Sequence, residues 1–123
     1  MKIAVDCGNG VPGAYAKKLY EALGCSVQEL FCEVDGHFPN HHPDPSVPEN
    51  LDDLISALKN GDAEIGLAFD GDGDRCGVVD NHGEEIFADK IGVMLARDIS
   101  ALHPGAQFVV DVKSTGLFLT DPV

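Results

Sequence analysis

The apolar positions of this chain change period several times, and each change marks an element. Lys2-Ile-Ala-Val-Asp6 is a short apolar run ending at glycines, the pattern of a strand entering a turn. Between Gly13 and Leu23, the residues Tyr15, Leu19, Ala22 and Leu23 recur at helical spacing, and Gly24 is placed to stop the helix. Ser26 to Cys32 reads as a second strand. Pro39, Pro43, Pro45 and Pro48 then predict an extended loop over residues 35–48. Leu51, Leu54, Ile55 and Leu58 stand at i, i+3, i+4 and i+7, so a second helix follows, closed by Asn60-Gly61. Glu64 to Phe69 is nearly all apolar, which predicts a strand buried on both faces. Cys76 to Asp80 and Glu85 to Phe87 flank Asn81-His82-Gly83, the composition of a hairpin turn. A third helix is predicted over Ala88 to Leu102, with Ile91, Met94, Leu95, Ile99 and Leu102 on its apolar face, and a last strand over Phe108 to Val112. The closing stretch, Lys113 to Val123, starts another loop and helix. Strands alternating with helices predict an α/β fold: a mixed, mostly parallel sheet flanked by helices. A final strand with nothing after it to cover it reads as part of an unfinished unit, so the chain is expected to be a piece of a longer one.

Composition narrows the function classes. The chain has 123 residues, one domain's worth, with 44% hydrophobic and 24% charged residues, as in an ordinary soluble globule. Eight basic residues against 21 acidic ones leave a formal charge of −13, which argues against nucleic-acid phosphate as a partner. No apolar run nears the roughly 18 residues of a membrane span and no signal-peptide pattern is present, so a cytoplasmic protein with no membrane partner is expected. Cys7, Cys25, Cys32 and Cys76 form no CxxC pair and read as reduced thiols. The pair His41-His42 lacks any HExxH or His-x3-His spacing, which speaks against structural zinc.

The sharpest chemical feature is Asp70-Gly-Asp-Gly-Asp-Arg75, directly after a predicted buried strand. Carboxylates at alternate positions of an extended chain would lie ~6.5 Å apart. Ligands of one Mg²⁺ sit at ~2.1 Å from the ion, so the backbone must curl to gather them. Gly71 and Gly73 are expected to supply that curl through positive φ. Without a cation, two carboxylates about 5 Å apart repel by ~3 kcal/mol at an effective dielectric near 20, and a divalent ion relieves this. Three carboxylates on such an ion leave a net negative charge and an unmet oxygen ligand, while Arg75 can clamp phosphate. An EF-hand is excluded, because its glycine and glutamate positions hold Arg75 and Asn81 here.

Two further features are weaker. Gly8-Asn-Gly-Val-Pro-Gly13 is a literal GxGxxG between a strand and a helix, with Glu29 or Glu33 as the distal acid of a dinucleotide fingerprint. It reads better as a tight strand-to-helix turn, since Pro12 removes an amide donor near the helix start. Phe38-Pro-Asn-His-His-Pro-Asp-Pro45 is a stiff loop in which His41 and His42 read as structural rather than catalytic, there being no nucleophile beside them in sequence.

Together these pieces resemble the α-D-phosphohexomutase family, in particular its bacterial phosphomannomutase/phosphoglucomutase branch. The resemblance rests on Val5-Asp-Cys-Gly-Asn-Gly10, Phe38 to Pro45, Pro48-Glu-Asn-Leu51, Gly66-Leu-Ala-Phe-Asp-Gly-Asp-Gly-Asp-Arg75 and Asp111-Val-Lys113. It implies that residues 1–84 are the family's second domain and that 85–123 begin a third, truncated one. It implies Mg²⁺ on Asp70, Asp72 and Asp74, a phosphoryl contact from catalytic Arg75, and Lys113 near the bound sugar phosphate. The implied reaction moves phosphate between O1 and O6 of a mannose or glucose phosphate through a bisphosphate intermediate. Its phosphoserine donor and the sugar-selecting and phosphate-binding loops belong to the remaining domains of such a mutase and have no counterpart in this sequence. The chain alone is therefore expected to be inactive. The alternative is a non-catalytic module that holds Mg²⁺ and phosphate.

Overall fold

The computed structural model describes residues 1–120, in two compact units that divide between Glu85 and Ile86. The first unit is built on strands β1 (Lys2–Asp6), β2 (Ser26–Leu30), β3 (Ile65–Phe69) and β4 (Cys76–Asp80), and the sheet ends on the two-residue β5 (Glu85–Ile86). The order is β2-β1-β3-β4-β5. β1 pairs in parallel with β2 and β3, whereas β3 and β4 are antiparallel, so the sheet is mixed. The Asn81-His82-Gly83 turn closes with Asp80 donating its amide to the Glu84 carbonyl at 2.9 Å.

β1 is an interior strand between β2 and β3, and its successive side chains, pointing to opposite sides, are buried on both faces. Ala4 joins Leu51, Leu54, Leu58, Ala63, Ala68 and Val79 in one apolar cluster. Ile3, Val5, Cys7 and Ala16 form the other. Helix α2 (Asp52–Asn60) thus covers one face and helix α1 (Ala16–Ala22) the opposite one, a three-layer arrangement. α2 buries Leu54 and Leu58 of its i, i+4 stripe, and Leu51 is buried in the 3-10 turn ahead of it.

Several expectations need correction. The helix predicted from Gly13 begins as a 3-10 turn, Val11–Ala14, with Pro12 in its first turn, and α1 itself is only seven residues long. Its buried side is Ala16 with half-buried Tyr20 one turn on, whereas Tyr15, Leu19 and Leu23 are exposed. The sequence stripe is real but lies beside the face that packs. β3 is also less enclosed than predicted. Gly66 and Ala68 are buried against α2, while Ile65, Leu67 and Phe69 are half-buried beneath the shorter α1.

In the second unit, helix α3 (Ala88–Leu102) has the predicted span but buries Val93 and Ala96. Met94, Leu95, Ile99 and Leu102 of its predicted apolar face are exposed. Residues 108–112 are not a strand, because a strand needs a hydrogen-bonded neighbour and none of the described residues provides one. Lys113 lies in the turn that the Ser114 amide closes on the Asp111 carbonyl, ahead of the short α4 (Leu117–Thr120), and residues 121–123 of that predicted stretch lie outside the described residues.

The two phases of burial are directly measurable. Truncation of fully buried Leu54 to Ala is expected to cost about 2–5 kcal/mol in urea unfolding. Leu19→Ala, on the stripe that sequence periodicity favoured, is expected to stay within about 0.5 kcal/mol.

Candidate metal centre

β1, β2 and β3 run in one direction, so their carboxyl ends share one edge of the sheet, and the connections over 7–15, 31–47 and 70–75 all leave from it. In open α/β sheets ligands bind at this edge.

The 70–75 loop curls tightly onto itself. The Arg75 amide donates to Asp70 Oδ1 at 3.0 Å and its Nε to Oδ2 at 2.8 Å. The Gly73 amide donates to the Asp70 carbonyl at 3.2 Å. The curl uses positive φ at Gly73 alone (+79°), where a Cβ would also come 2.7 Å from Pro12 Cγ, so the expectation that Gly71 shares it is corrected. Gly71 instead accepts the Val11 amide at 3.0 Å, and a Cβ on Gly10 would approach its carbonyl oxygen to 2.8 Å. The two glycine-rich loops are thereby fastened together.

The result gathers Asp70, Asp72 and Asp74, with one oxygen from each within 4.8 Å of the others. Asp70 is buried and the other two are exposed. Burial pushes the Asp70 carboxyl up, but the Arg75 amide and guanidinium outweigh it and hold the group below its usual value. Asp74 is pushed up instead, by its hydrogen-bonding contact with Asp70 and the charges of Asp72 and Asp70. Arg75 alone therefore leaves the cluster short of positive charge. Three hard carboxylate oxygens, two of them open to solvent, suit a divalent cation of the Mg²⁺ or Ca²⁺ type.

Arg75 has a second anchor that sequence reading did not single out. Its Nη1 donates to Asp44 Oδ1 at 3.2 Å. Asp44 sits between buried Pro43 and Pro45 and also accepts from Ser46 Oγ at 2.6 Å. The Ser46 hydroxyl and amide, more than Arg75, hold its carboxyl below the usual range. The available signal was the rigid Pro-Asp-Pro setting.

His41 and Asp6 form the other charged pair at this edge. His41 Nε2 lies 2.9 Å and 3.1 Å from the two oxygens of Asp6, which is 1% exposed. His41 Nδ1 lies 2.9 Å from the His42 carbonyl oxygen. A carbonyl only accepts, so Nδ1 carries a proton, and an imidazolium satisfies both contacts. Asp6 also accepts the Gly8 amide at 2.8 Å. His41 ties the proline-rich loop to the end of β1, and His42 packs edge-on against Phe38.

The GxGxxG amides are committed internally. Gly8 donates to Asp6, Asn9 to the Phe31 carbonyl, Gly10 to the Cys7 carbonyl, Val11 to Gly71 and Gly13 to the Gly10 carbonyl. With Pro12 lacking an N–H, no amide of this turn is left for a pyrophosphate. The segment is a structural turn. Lys113 belongs to the second unit, where its amide donates to Asp111 Oδ1 at 2.7 Å.

A mixed sheet covered by helices, with an acidic loop at its carboxyl edge that could hold a cation, defines an α/β domain with a candidate ligand site at its strand ends. Residues 1–83 match the family model described as "Phosphoglucomutase/phosphomannomutase, alpha/beta/alpha domain II", and the chain belongs to that family. It is 64% identical over 117 residues to a phosphoglucomutase of Neisseria gonorrhoeae, a stretch covering 95% of this chain and 25% of the relative. It is 59% identical over 115 residues to a phosphomannomutase/phosphoglucomutase of Pseudomonas aeruginosa, covering 94% and 25%. A crystal structure of a phosphoglucomutase/phosphomannomutase family protein from Burkholderia thailandensis superposes with a TM-score of 0.94 at 53% identity, covering 96% of this chain and 26% of that one. The chain spans about a quarter of the length of these relatives.

The Asp6–His41 pair gives a pH dependence with a definite sign. Burial lowers the His41 value, but its bond to the His42 carbonyl and the Asp6 carboxylate raise it above 6.5 overall. Burial raises Asp6, beyond what Gly8 and His41 take back, and the Asp53 charge adds to the rise in both groups. A raised folded value means stability that is complete below the unfolded value and is lost as pH climbs through the folded one. Urea midpoints are therefore expected to fall as pH rises above about 6.5. His41→Gln is expected to remove that slope; a slope unchanged in the variant would refute the pairing.

Proposed function

We propose that this chain supplies the metal-loop portion of a phosphohexomutase, which interconverts the 1- and 6-phosphates of mannose or glucose through a bisphosphate intermediate with Mg²⁺. The observation that carries the reading is the convergence of Asp70, Asp72 and Asp74 with Arg75 tied to the same loop. Names of the relatives, phosphoglucomutase and phosphomannomutase/phosphoglucomutase, support the reaction class. Residues 1–84 are read as the family's second domain and 85–123 as the beginning of a third. The division of the described residues after Glu85 and the family match over 1–83 support that boundary.

Asp70, Asp72 and Asp74 would hold the cation, which when bound neutralises charge developing on a transferring phosphoryl group. Asp70 fixes the Arg75 backbone and Nε, so the guanidinium is oriented before any substrate arrives. The Nη1 contact with Asp44 is exposed and exchangeable, leaving that end of the fork free to turn towards a phosphoryl oxygen. Lys113 is read as a sugar-phosphate contact. The phosphoryl donor is supplied from other domains of the mutase, so this chain alone binds without turnover.

Calorimetric Mg²⁺ titration of the chain is expected to show one weak site. Asp72→Ala, an exposed substitution that spares the fold, is expected to weaken it by at least about tenfold, the cost of losing even an outer-shell partner of a metal. With Mg²⁺ present, the phosphorus NMR line of a hexose phosphate is expected to shift, and to shift less with Arg75→Ala. Mg²⁺ binding that survives Asp72→Ala would overturn the site. Mutase turnover by this chain would overturn the assignment of the phosphoryl donor to other domains.

A further inference from the structure

Two of the four free cysteines meet. Cys7 follows β1 and Cys32 follows β2 by two residues, and their sulfurs lie 3.4 Å apart. The meeting is produced by the backbone. The parallel ladder runs one bond past the strands, with the Cys7 amide donating to the Leu30 carbonyl at 3.1 Å. Phe31 then takes the left-handed conformation (φ +50°), which turns the chain so that Cys32 Sγ comes to 3.4 Å from the Leu30 carbonyl and 3.7 Å from that of Val5. Both side chains enter the apolar cluster under α1.

We propose that Cys7 and Cys32 are an oxidisable dithiol, which closes to an intramolecular disulfide on exchange with a low-molecular-weight disulfide. A bonded pair lies at about 2.05 Å, so the sulfurs need to close by about 1.4 Å. Cys7 is fully buried while Cys32 is half-buried, which makes Cys32 the entry point. In the resting pair the Cys32 thiol donates towards Cys7 Sγ and the Leu30 carbonyl, and burial together with this contact pushes the Cys7 thiol up, so Cys32, the half-buried member, is the one that loses its proton to solvent and attacks as the thiolate. The Cys32 thiolate attacks a sulfur of the small disulfide, forming a mixed disulfide and releasing one thiolate. Cys7, giving up its proton, then attacks Cys32 Sγ and expels the second thiolate. In sum two protein thiols are oxidised, one small disulfide is reduced to two thiols, and atoms and electrons balance.

The bridge would lie under the turn that touches the acidic loop. Asn9 Nδ2 donates to the Glu33 carbonyl at 2.8 Å, and two residues further on the Val11 amide holds Gly71. Oxidation would tie the 31–33 segment to the end of β1 beneath these contacts.

The test incubates the folded chain with oxidised glutathione at neutral pH, blocks remaining thiols in denaturant and maps the peptides by mass. One bridge is expected, joining the Cys7 and Cys32 peptides, with Cys25 and Cys76 blocked as free thiols. Cys32→Ser is expected to abolish the bridge, and Cys7→Ser to leave glutathione trapped on Cys32. The double variant Cys25→Ser with Cys76→Ser, which spares the buried pair, is expected to form the bridge as the parent does. Cys7 and Cys32 both recovered as free thiols, or a bridge through Cys25 or Cys76, would overturn the proposal.

Discussion

Negative charge buried where the parallel strands end is the constraint on which this structure depends. Asp6 closes β1 and Asp70 follows β3, and both are almost wholly buried. A buried carboxylate is tolerated only when hydrogen bonds and a countercharge replace water. Each is met by a cation brought in on a loop: His41 from the proline-rich segment for Asp6, and Arg75 for Asp70. Because Arg75 also reaches Asp44, three residues after His41, the same proline-rich loop engages both pairs. The rigidity supplied by Pro43 and Pro45 serves that double attachment.

The same edge stores backbone strain. Asn9, Phe31 and Phe38 all have positive φ, which costs an L-residue about 1–2 kcal/mol each. Asn9 offsets its share with four bonds. Its amide donates to Phe31, its carbonyl accepts from Asp35, and its side chain joins the Glu33 carbonyl and the Asn40 amide. Strain concentrated at the ligand-binding edge of an α/β sheet, and held by a dense network, is characteristic of functional sites.

Much of the element order was legible in the sequence because strand and turn chemistry are local. The Lys2 to Asp6 run, the Leu51–Leu58 stripe and the Asn81-His82-Gly83 turn each required only their own residues. The phase of α1 was not legible, since Pro12 starts a 3-10 turn whose length decides which residues face the sheet. Nor was the lack of a strand at 108–112, since apolar composition says nothing about whether a neighbour is present to pair with it. The acidic cluster could be read from its alternation of aspartate and glycine. Asp6 with His41 and Asp44 with Arg75 could not, because those partners stand 35 and 31 positions apart and only the folded loops bring them together. The meeting of Cys7 and Cys32 was hidden for the same reason, being set by one left-handed residue after β2.

The divalent ion proposed for the 70–75 loop can be located directly. Substoichiometric Mn²⁺ added to isotope-labelled chain broadens the amide signals nearest the bound ion. The loss is expected to begin at Gly71 to Arg75 and to spread next to the Gly10–Val11 turn fastened against them. Broadening that begins instead at another acidic stretch, such as Asp52-Asp53 or Glu84-Glu85, or that falls evenly over the acidic surface, would contradict it.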